Sequence, residues 1–396
     1  MSNLNSNQII EKYNSAVVGS YGRLNLALES GSGAAGVDAD GRQYIDFGSG
    51  IGTNSLGYAD SAWADAVSEQ AHKVQHTSNY YYNSTAAEFA AQLTVMTGTD
   101  KLFFGNSGAE ANECAIKIAR KRSFDKYGDQ NRTTIITLVN SFHGRTVTTL
   151  SATGQDHFHN YFFPFTPGFK YVEANNIEAL REAIDDTICA IMFEFIQGEG
   201  GVIPLEQDFV NEIFALAKQH DLTTISDEVQ TGVGRTGKLL AAEHFGVKPD
   251  IVTLAKGLGG GLPIGVCLTR GEYANVLTPG THGSTFGGNP VVCAGGLTVL
   301  NRLSDETFMQ EVNEKAAYFR KSLAALPRVK NVSGIGLMLG AELDGVAASD
   351  VLKTAFEKGL LILTAKTKVR CLPPLTITYE QIDAGMAILK DILENA

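Results

Sequence analysis

Five short apolar runs recur through the middle of the chain, and stretches with helical spacing lie between them. The runs are residues 101–104, 133–139, 188–196, 222–226 and 250–255. Residues 209–220, for example, carry their apolar side chains on one helical face. Strands that alternate with helices require right-handed crossovers, which produce a mainly parallel sheet covered on both faces. The sequence therefore predicts an α/β fold.

The pattern changes after Pro290, where a helical stretch leads into short strands, another helix and further short strands. We expect residues 291–396 to form a smaller α+β domain together with residues 1–48. Residues 49–290 would then form the large domain. A chain of 396 residues is long enough for two such domains.

The chain is acidic, with a net charge of −11. This charge argues against a nucleic-acid groove and against binding to an anionic membrane surface. No apolar run approaches the roughly 20 residues that span a bilayer. The cysteines are odd in number and lack CxxC spacing, so we predict neither disulfides nor a metal site. Residues 1–15 lack the basic start and apolar core of a signal peptide, which predicts a cytoplasmic protein.

Polar and aromatic residues follow the predicted strands at the points where the strands end. Ligands of open parallel sheets bind in the crevice outside the carboxyl ends of the strands. We therefore expect these residues to face one common site. They are Ser107, Phe142, Arg145, Glu199, Asp227, Gln230 and Lys256.

Two of these residues indicate a site for a phosphate group and a reactive amine, at Ser107 and Lys256 respectively. Ser107 opens a helix whose free N–H groups and dipole make an anion site, although with Glu110 three residues later it also fits a capping box. Lys256 stands between a buried strand and a cluster of glycines. At that position a lysine either extends its charged head to water or offers its amine to form a Schiff base.

Three further residues suit a flat, charged ring. Asp227 ends a strand, where it either caps the next turn or holds a protonated heterocyclic nitrogen. Phe142 is either a core residue or the cover of a flat ring, and Arg145 is either solvated or a planar fork for a carboxylate. A phosphate cradle, an acid, an aromatic lid and a lysine together describe a site for pyridoxal phosphate.

Two glycine-rich segments imitate nucleotide-binding loops. Residues 31–36 fit G-x-G-x-x-G, but a turn with short strands follows instead of the helix that a dinucleotide site requires. Residues 232–239, GVGRTGKL, nearly fit a phosphate loop, but Leu239 stands where Ser or Thr would hold magnesium. A nucleotide-binding protein is therefore the alternative from another class, and binding of ATP against pyridoxal phosphate would separate the two.

Six segments resemble the class III, fold-type I aminotransferases and, within that family, the acetylornithine and succinylornithine aminotransferases. The segments are NSGAEANECAIKIAR, SFHGRT, IQGEGG, SDEVQTGVGRTG, TLAKGLGGGLPIG and HGSTFGGNP. The resemblance covers nearly the whole chain. It implies a mostly parallel, seven-stranded large domain, a small domain built from both termini, and a homodimer with shared active sites.

The resemblance also assigns residues to the cofactor. Asp227 would pair with the ring nitrogen, and Lys256 would be the Schiff-base lysine and the proton carrier. The other assigned contacts are Ser107, Gly108 and Ala109 to the phosphate, Phe142 and Val229 to the two ring faces, and Gln230 to the phenolic oxygen. Thr285 would complete the phosphate site from the neighbouring subunit.

Substrate contacts follow from the same resemblance. Arg145 would bind the α-carboxylate of the amino donor. Arg370 would bind the α-carboxylate of glutamate or 2-oxoglutarate, and Glu199 would pair with Arg370 while the ω-amine donor is bound. Without the resemblance, Glu199 and Arg370 would be interpreted as solvated surface residues. Ser284 would reach the substrate from the neighbouring subunit.

The implied reaction moves the distal amine of N-acetylornithine, or of a close acyl-ornithine, to 2-oxoglutarate in arginine metabolism. Ile51 favours an acylated donor and Tyr82 favours free ornithine, so ornithine δ-aminotransferase and 4-aminobutyrate aminotransferase stay as alternatives. Tyr58 and Phe195 depart from the family pattern, in which histidine and proline are common. Both departures lie outside the proposed chemistry, and we expect them to affect the entrance of the site.

Overall fold

The computed structural model describes residues 4–396. The strands are β1 (Leu28–Ser32), β2 (Ala35–Asp38), β3 (Gln43–Asp46), β4 (Lys101–Gly105), β5 (Thr134–Leu138), β6 (Phe169–Val172), β7 (Ile188–Phe193), β8 (Ile196–Gln197), β9 (Ile203–Pro204), β10 (Thr223–Asp227), β11 (Ile251–Leu254), β12 (Gly265–Thr269), β13 (Val329–Ile335), β14 (Met338–Leu343), β15 (Leu360–Leu361), β16 (Leu363–Ala365) and β17 (Lys368–Cys371).

The α-helices are α1 (Ser6–Ala16), α2 (Ser49–Gly52), α3 (Ser61–Lys73), α4 (Ser84–Thr97), α5 (Gly108–Tyr127), α6 (Val147–Ala152), α7 (Ile177–Ala183), α8 (Gln207–His220), α9 (Ala242–Phe245), α10 (Pro290–Leu303), α11 (Glu306–Ala324), α12 (Ala348–Glu357) and α13 (Tyr379–Glu394). Short 3₁₀ helices cover Asp156–Phe158, Lys256–Gly259 and Gly271–Asn275.

A seven-stranded sheet forms the centre of the molecule, in the order β4-β12-β11-β10-β7-β5-β6. The strands from β6 to β11 in this order pair in parallel, whereas β12 runs antiparallel to both β11 and β4. Strands β7, β10, β11 and β12 are buried at every position, as expected of strands covered on both faces. The predicted mostly parallel α/β sheet of seven strands is confirmed.

The five apolar runs correspond to β4, β5, β7, β10 and β11. The run at 188–196 is divided, because the chain leaves the sheet after Phe193 and continues as β8, which pairs with β9. Two strands of the sheet, β6 and β12, lie outside the runs. β12 follows the glycine-rich turn after Lys256, and its antiparallel direction is a feature that the apolar pattern does not reveal.

Helix α5 connects the sheet to the candidate site. It begins after Ser107, whose hydroxyl oxygen accepts a hydrogen bond from the Glu110 backbone N–H at 3.2 Å, and it ends at Gly128, which has a φ of 63°. Its apolar side packs on β11 and β12. The buried apolar residues are Ala111, Cys114, Ala115, Ile116, Ile118 and Ala119. This packing places the N-terminus of α5 at the ends of the sheet strands.

The two ends of the chain meet in a four-stranded sheet, in which β15 pairs in parallel with β3 of the β1-β2-β3 meander. A second four-stranded sheet, β13-β14-β17-β16, is antiparallel. A small domain built from both termini requires such pairing between an N-terminal and a C-terminal strand. The division of the chain at residues 49 and 290 stays a prediction.

Neither glycine-rich segment forms a nucleotide-binding loop. Residues 31–36 lie in the β1–β2 hairpin, as the sequence predicts. Residues 232–237 are buried in turns, so their backbone is not open to a phosphate. None of the helices in the described part of the chain combines the length and the apolar character that crossing a membrane requires.

Candidate active site

A cavity of about 520 Å³ lies where the parallel strands of the central sheet end. The loops after β4, β5, β7, β10 and β11 line it, as the topology of open parallel sheets requires. The predicted site residues that line it are Ser107, Gly108, Ala109, Phe142, Arg145, Glu199, Asp227, Val229, Gln230 and Lys256. The structure thus brings the strand-end residues into one site.

The N-terminus of α5 forms one end of the cavity. The Ser107 side chain caps the helix, which confirms that it is an N-cap residue, whereas the anion-site interpretation stays a prediction. A side chain at Gly108 would place its Cβ 2.7 Å from a methyl carbon of Val229, so only glycine fits there. The free N–H groups of the first turn, together with the helix dipole, suit a phosphate group.

Asp227 is held by three donors and is only 4% exposed. Its Oδ2 lies 2.8 Å from His143 Nδ1 and accepts from Asn112 Nδ2 at 2.8 Å, while its Oδ1 accepts from the Val229 N–H at 3.0 Å. Asn112 is oriented in turn by the Thr253 hydroxyl, which donates to Asn112 Oδ1 at 2.7 Å. These three contacts fix the orientation of the carboxylate, which lines the cavity.

His143 and Asn112 were not identified from the sequence. His143 follows Phe142 in SFHGRT, and Asn112 lies one helical turn after Gly108. That spacing puts Asn112 on the same face of α5 as the helix start. Buried polar residues next to a proposed acid are the signal that could have identified them.

Lys256 follows β11 directly and has a φ of 45°, which is unusual for any residue other than glycine. Backbone strain of this kind costs on the order of 1–3 kcal/mol and is found mainly at functional sites. Burial lowers the pKa of Lys256, although nearby Glu199 acts in the opposite direction. No hydrogen-bond partner of Lys256 Nζ is found among residues 4–396, so this amine faces the cavity free to react.

Glu194 lies beneath Phe142 and was also missed by the sequence analysis. Its carboxylate accepts from the Phe142 N–H at 3.0 Å and from the Gly198 N–H at 3.3 Å. Burial raises the pKa of Glu194 to about 7. The residue fixes the backbone at Phe142, and both Phe142 and Val229 line the cavity.

Arg145 is held by aromatic rings. Its guanidinium carbon lies 3.9 Å from the centroid of the Phe158 ring and 5.6 Å from that of Phe142. In the described part of the chain its guanidinium has no hydrogen-bond acceptor. The planar fork of donors is therefore available to a carboxylate. Phe158 adds a contact that the sequence analysis did not identify.

Glu199, Gln230 and Arg370 form a connected group at the edge of the cavity. Arg370 Nη1 lies 2.6 Å from Glu199 Oε1 and donates to Gln230 Oε1 at 3.3 Å. The Arg370 side chain is only 4% exposed, so the interpretation of this arginine as a solvated surface residue is wrong. Burial acts to raise the pKa of Glu199, but the Arg370 guanidinium outweighs it and lowers that pKa.

Five predicted residues do not line the cavity of this protomer: Arg370, described above, and Ile51, Tyr82, Ser284 and Thr285. Tyr82 and Thr285 are exposed, and Ile51 is 43% exposed with a strained φ of 61°. Ser284 accepts a hydrogen bond at 3.0 Å from Asn106, which itself lines the cavity. The expected roles of Ser284 and Thr285 belong to a neighbouring subunit and stay predictions.

The two departures from the family pattern lie away from the cavity. The Tyr58 hydroxyl donates to Asp46 Oδ2 at 2.7 Å, and burial raises the pKa of Tyr58. Phe195 is fully buried and packs edge-on against Phe193 and face-to-face against Phe245. Both residues contact other side chains of the same protomer, and neither lines the cavity.

The residues of the cavity fit pyridoxal phosphate. Gly108 leaves room at the anion-binding helix start where a side chain would collide, Asp227 is a buried carboxylate aimed by three donors, and Lys256 offers a free amine. This set of residues, at the carboxyl ends of a mostly parallel seven-stranded sheet, defines a pyridoxal-phosphate-dependent enzyme of fold type I.

The chain belongs to the class-III aminotransferase family, whose model matches residues 18–393. Acetylornithine aminotransferase from Haemophilus ducreyi is 50% identical over 98% of this chain and 99% of its own. Acetylornithine aminotransferase from Caldanaerobacter subterraneus is 48% identical over 94% of this chain and 96% of its own. Aminotransferases of this class use pyridoxal phosphate.

Solved structures agree with this family. Ornithine aminotransferase from Toxoplasma gondii has a TM-score of 0.94 and 33% identity, covering 99% of this chain and 96% of its own. N-acetylornithine aminotransferase from Stenotrophomonas maltophilia has a TM-score of 0.85 and 34% identity, covering 98% of both chains. A second structure of the Toxoplasma enzyme has pyridoxal phosphate in its active site at partial occupancy.

Proposed function

We propose that the protein transfers the distal amino group of N-acetylornithine to 2-oxoglutarate, in the biosynthesis of arginine. Relatives that carry this activity in their names match nearly the whole chain at up to 50% identity. One observation in the site carries the assignment to a distal amine. Arg370, a buried cation, is paired with Glu199, which lines the cavity with Lys256, and can therefore be masked or exposed.

Pyridoxal phosphate, when bound, withdraws electrons from the substrate carbon that carries the amino group. The N-terminus of α5, with Ser107, Gly108 and Ala109, would hold its phosphate. Phe142 and Val229 would hold the ring between them.

Asp227 would keep the ring nitrogen protonated, because its carboxylate is buried and aimed by His143 and Asn112. Gln230 would contact the phenolic oxygen. Lys256 would attach to the cofactor aldehyde and, once released by the substrate amine, would carry the proton that leaves the substrate carbon. Its lowered pKa favours the neutral amine that both tasks require.

Arg145 would bind the α-carboxylate of the donor, far from the amine that reacts. The aromatic contacts to Phe158 and Phe142 orient its guanidinium without occupying its donors. A donor held in this way presents its distal amine toward Lys256. The exposed Ile51 would contact the acyl group of the donor, and Tyr82 would favour free ornithine.

Arg370 would serve only the second substrate. 2-Oxoglutarate reacts at the carbon next to its carboxylate, and this carboxylate needs a cation close to Lys256. While the ω-amine donor is bound, Glu199 would mask Arg370, because an unpaired cation would attract the donor carboxylate into the wrong position. The keto acid would then displace Glu199 from the guanidinium.

We further infer a homodimer with shared active sites, in which Ser284 and Thr285 of one subunit reach the site of the other. Thr285 is exposed on its own protomer. The next residue, Phe286, is 60% exposed. A cytoplasmic location stays a prediction from the sequence.

Steady-state kinetics with four donors tests the substrate assignment. We expect kcat/KM to be highest for N-acetylornithine and lower for N-succinylornithine, ornithine and 4-aminobutyrate, with 2-oxoglutarate as the acceptor in every case. A higher kcat/KM for ornithine or 4-aminobutyrate would assign the protein to one of the two alternative activities.

A further inference from the structure

The turn from Ser284 to Gly287 leaves two of its four residues exposed. Thr285 is exposed and Phe286 is 60% exposed. Neither residue lines the cavity of its own protomer. A residue that fixes the shape of this turn therefore also fixes the position of the exposed Thr285 side chain.

Asn79 spans the two ends of the turn with one amide group. Its Nδ2 donates to the Ser284 carbonyl at 2.9 Å and to the Gly287 carbonyl at 3.0 Å. These carbonyls lie on either side of the pair Thr285–Phe286. Because both hydrogen bonds start from the same rigid, planar group, they fix the distance between the ends of the turn.

The base of the turn is fixed independently of Asn79. The Ser284 hydroxyl accepts from the Gly287 N–H at 3.1 Å and from Asn106 Nδ2 at 3.0 Å. Gly287 lies so close to β4 that a Cβ there would be 2.2 Å from the Phe104 carbonyl oxygen. The turn is consequently seated against the sheet, and its two carbonyls are left to Asn79.

The residues that precede the turn also have their own anchor. Lys117 Nζ donates to the Thr281 carbonyl at 3.1 Å and lies 2.9 Å from His282 Nδ1. The His282 ring stacks on Phe103, with 4.5 Å between the ring centroids. Loss of the Asn79 contacts is therefore expected to loosen Thr285 and its neighbour while the rest of the loop stays in place.

We propose that Asn79 is a positioning residue for the cofactor phosphate bound by the neighbouring subunit. The proposal rests on the shared active sites proposed above, in which Thr285 reaches that phosphate. A hydroxyl donor is effective only within a narrow range of distance and angle. Loss of two neutral hydrogen bonds behind it is expected to speed cofactor release about tenfold.

The test uses mixed dimers of holoenzyme in which one subunit carries Lys256→Ala, so that each dimer has one lysine-bearing site. Asn79→Asp is placed either in the subunit that keeps Lys256 or in the subunit that lacks it. The rate of cofactor release from the lysine-bearing site is followed by its visible absorbance. We expect about tenfold faster release only when Asn79→Asp lies in the subunit that lacks Lys256.

Thr285→Ala, placed in the same two arrangements, tests the shared site separately. Asn275→Asp is the matched control. The Asn275 side-chain oxygen accepts a hydrogen bond from Lys101 Nζ, and an aspartate at this position keeps that acceptor. Asn79→Ala is made in parallel, so that a folding defect of the aspartate variant does not decide the result. Thermal melting of each dimer monitors folding.

The outcomes separate the two proposals. If Thr285→Ala acts from the opposite subunit but neither Asn79 variant does, the role of Asn79 is overturned and the shared site stands. If Thr285→Ala speeds cofactor release from the site of its own subunit, the shared site is wrong, and so is the proposed role of Asn79. Faster release from both arrangements of Asn79→Asp also overturns the proposal.

Discussion

His143 Nδ1 and Asp227 Oδ2 lie 2.8 Å apart in the wall of the cavity, and the His143 side chain is completely buried. Asn112 donates to the same carboxylate oxygen. The acid that would face the cofactor is thus aimed by two residues of neighbouring segments. Mutation of Asp227 therefore tests the charge of the carboxylate, whereas mutation of His143 tests its orientation.

Replacement of Asp227 by Asn removes the charge and keeps the shape. We expect the rate of proton abstraction from the donor to fall at least about 100-fold, because one positioned electrostatic group is lost. Cofactor binding is expected to weaken much less, since the phosphate contacts stay. Stopped-flow half-reactions and cofactor titration measure the two effects, and a wild-type half-reaction rate in the variant would contradict the role.

Replacement of His143 by Asn keeps the charge of Asp227 and removes its support. We expect the half-reaction to slow about tenfold, which corresponds to one hydrogen bond to a charged group. His244→Asn is the matched control, because His244 contacts the Thr236 carbonyl outside the cavity. Equal rates in wild type and His143→Asn would show that the other donors orient Asp227 without His143.

The ion pair between Glu199 and Arg370 predicts opposite effects on the two half-reactions. Glu199→Ala is expected to raise reactivity with glutamate relative to the ω-amine donor, because Arg370 is then always exposed. Arg370→Ala is expected to slow the reaction with 2-oxoglutarate about 100-fold, since the keto acid loses its charged partner. Stopped-flow measurement of each half-reaction provides the comparison.

Arg181 and Glu212 form an ion pair outside the cavity, with an exposed arginine, and this pair offers matched controls for the two variants. Arg181→Ala and Glu212→Ala are expected to leave both half-reactions unchanged. If Glu199→Ala and Arg370→Ala changed both half-reactions in the same proportion, the masking of Arg370 by Glu199 would be ruled out.

Lys256 is expected to reduce the stability of the apoprotein. Its pKa is lowered in the folded state, so between that lowered value and about 10.5 the unfolded chain binds a proton that the folded chain does not. Stability therefore rises with pH across this window. Lys256→Met should be more stable than wild type at neutral pH, and the difference should shrink as the pH approaches 10.5.

Chemical denaturation of the two apoproteins at several pH values measures this difference. Lys353→Met, at an exposed lysine, is the matched control and should show no such trend. A difference between Lys256→Met and wild type that grew with rising pH would contradict the predicted sign. The same holoenzyme variant should have negligible transaminase activity, because it lacks the reactive amine.

The apolar pattern of the sequence was sufficient for five of the seven strands of the central sheet and for the position of the residues that follow them, but not for β6 or for the antiparallel β12. Continuous apolar runs identify buried parallel strands because both of their faces are covered. The carboxyl ends of such strands meet at one edge, so the residues after them, from Ser107 to Lys256, had to lie together. Local pattern and topology determined this much without any knowledge of side-chain contacts.

Only the tertiary structure decided which residues support the site. His143, Asn112 and Glu194 contact Asp227 or the backbone of Phe142, yet they come from different elements, and no local pattern relates them. No local pattern relates Arg370 to Glu199 either, because 171 residues separate them, and before the structure only the family resemblance implied their pairing. Hydrogen bonds of this kind depend on packing between distant segments. A sequence determines where strands and helices form through short-range periodicity, whereas pairing between side chains arises only when the chain has folded.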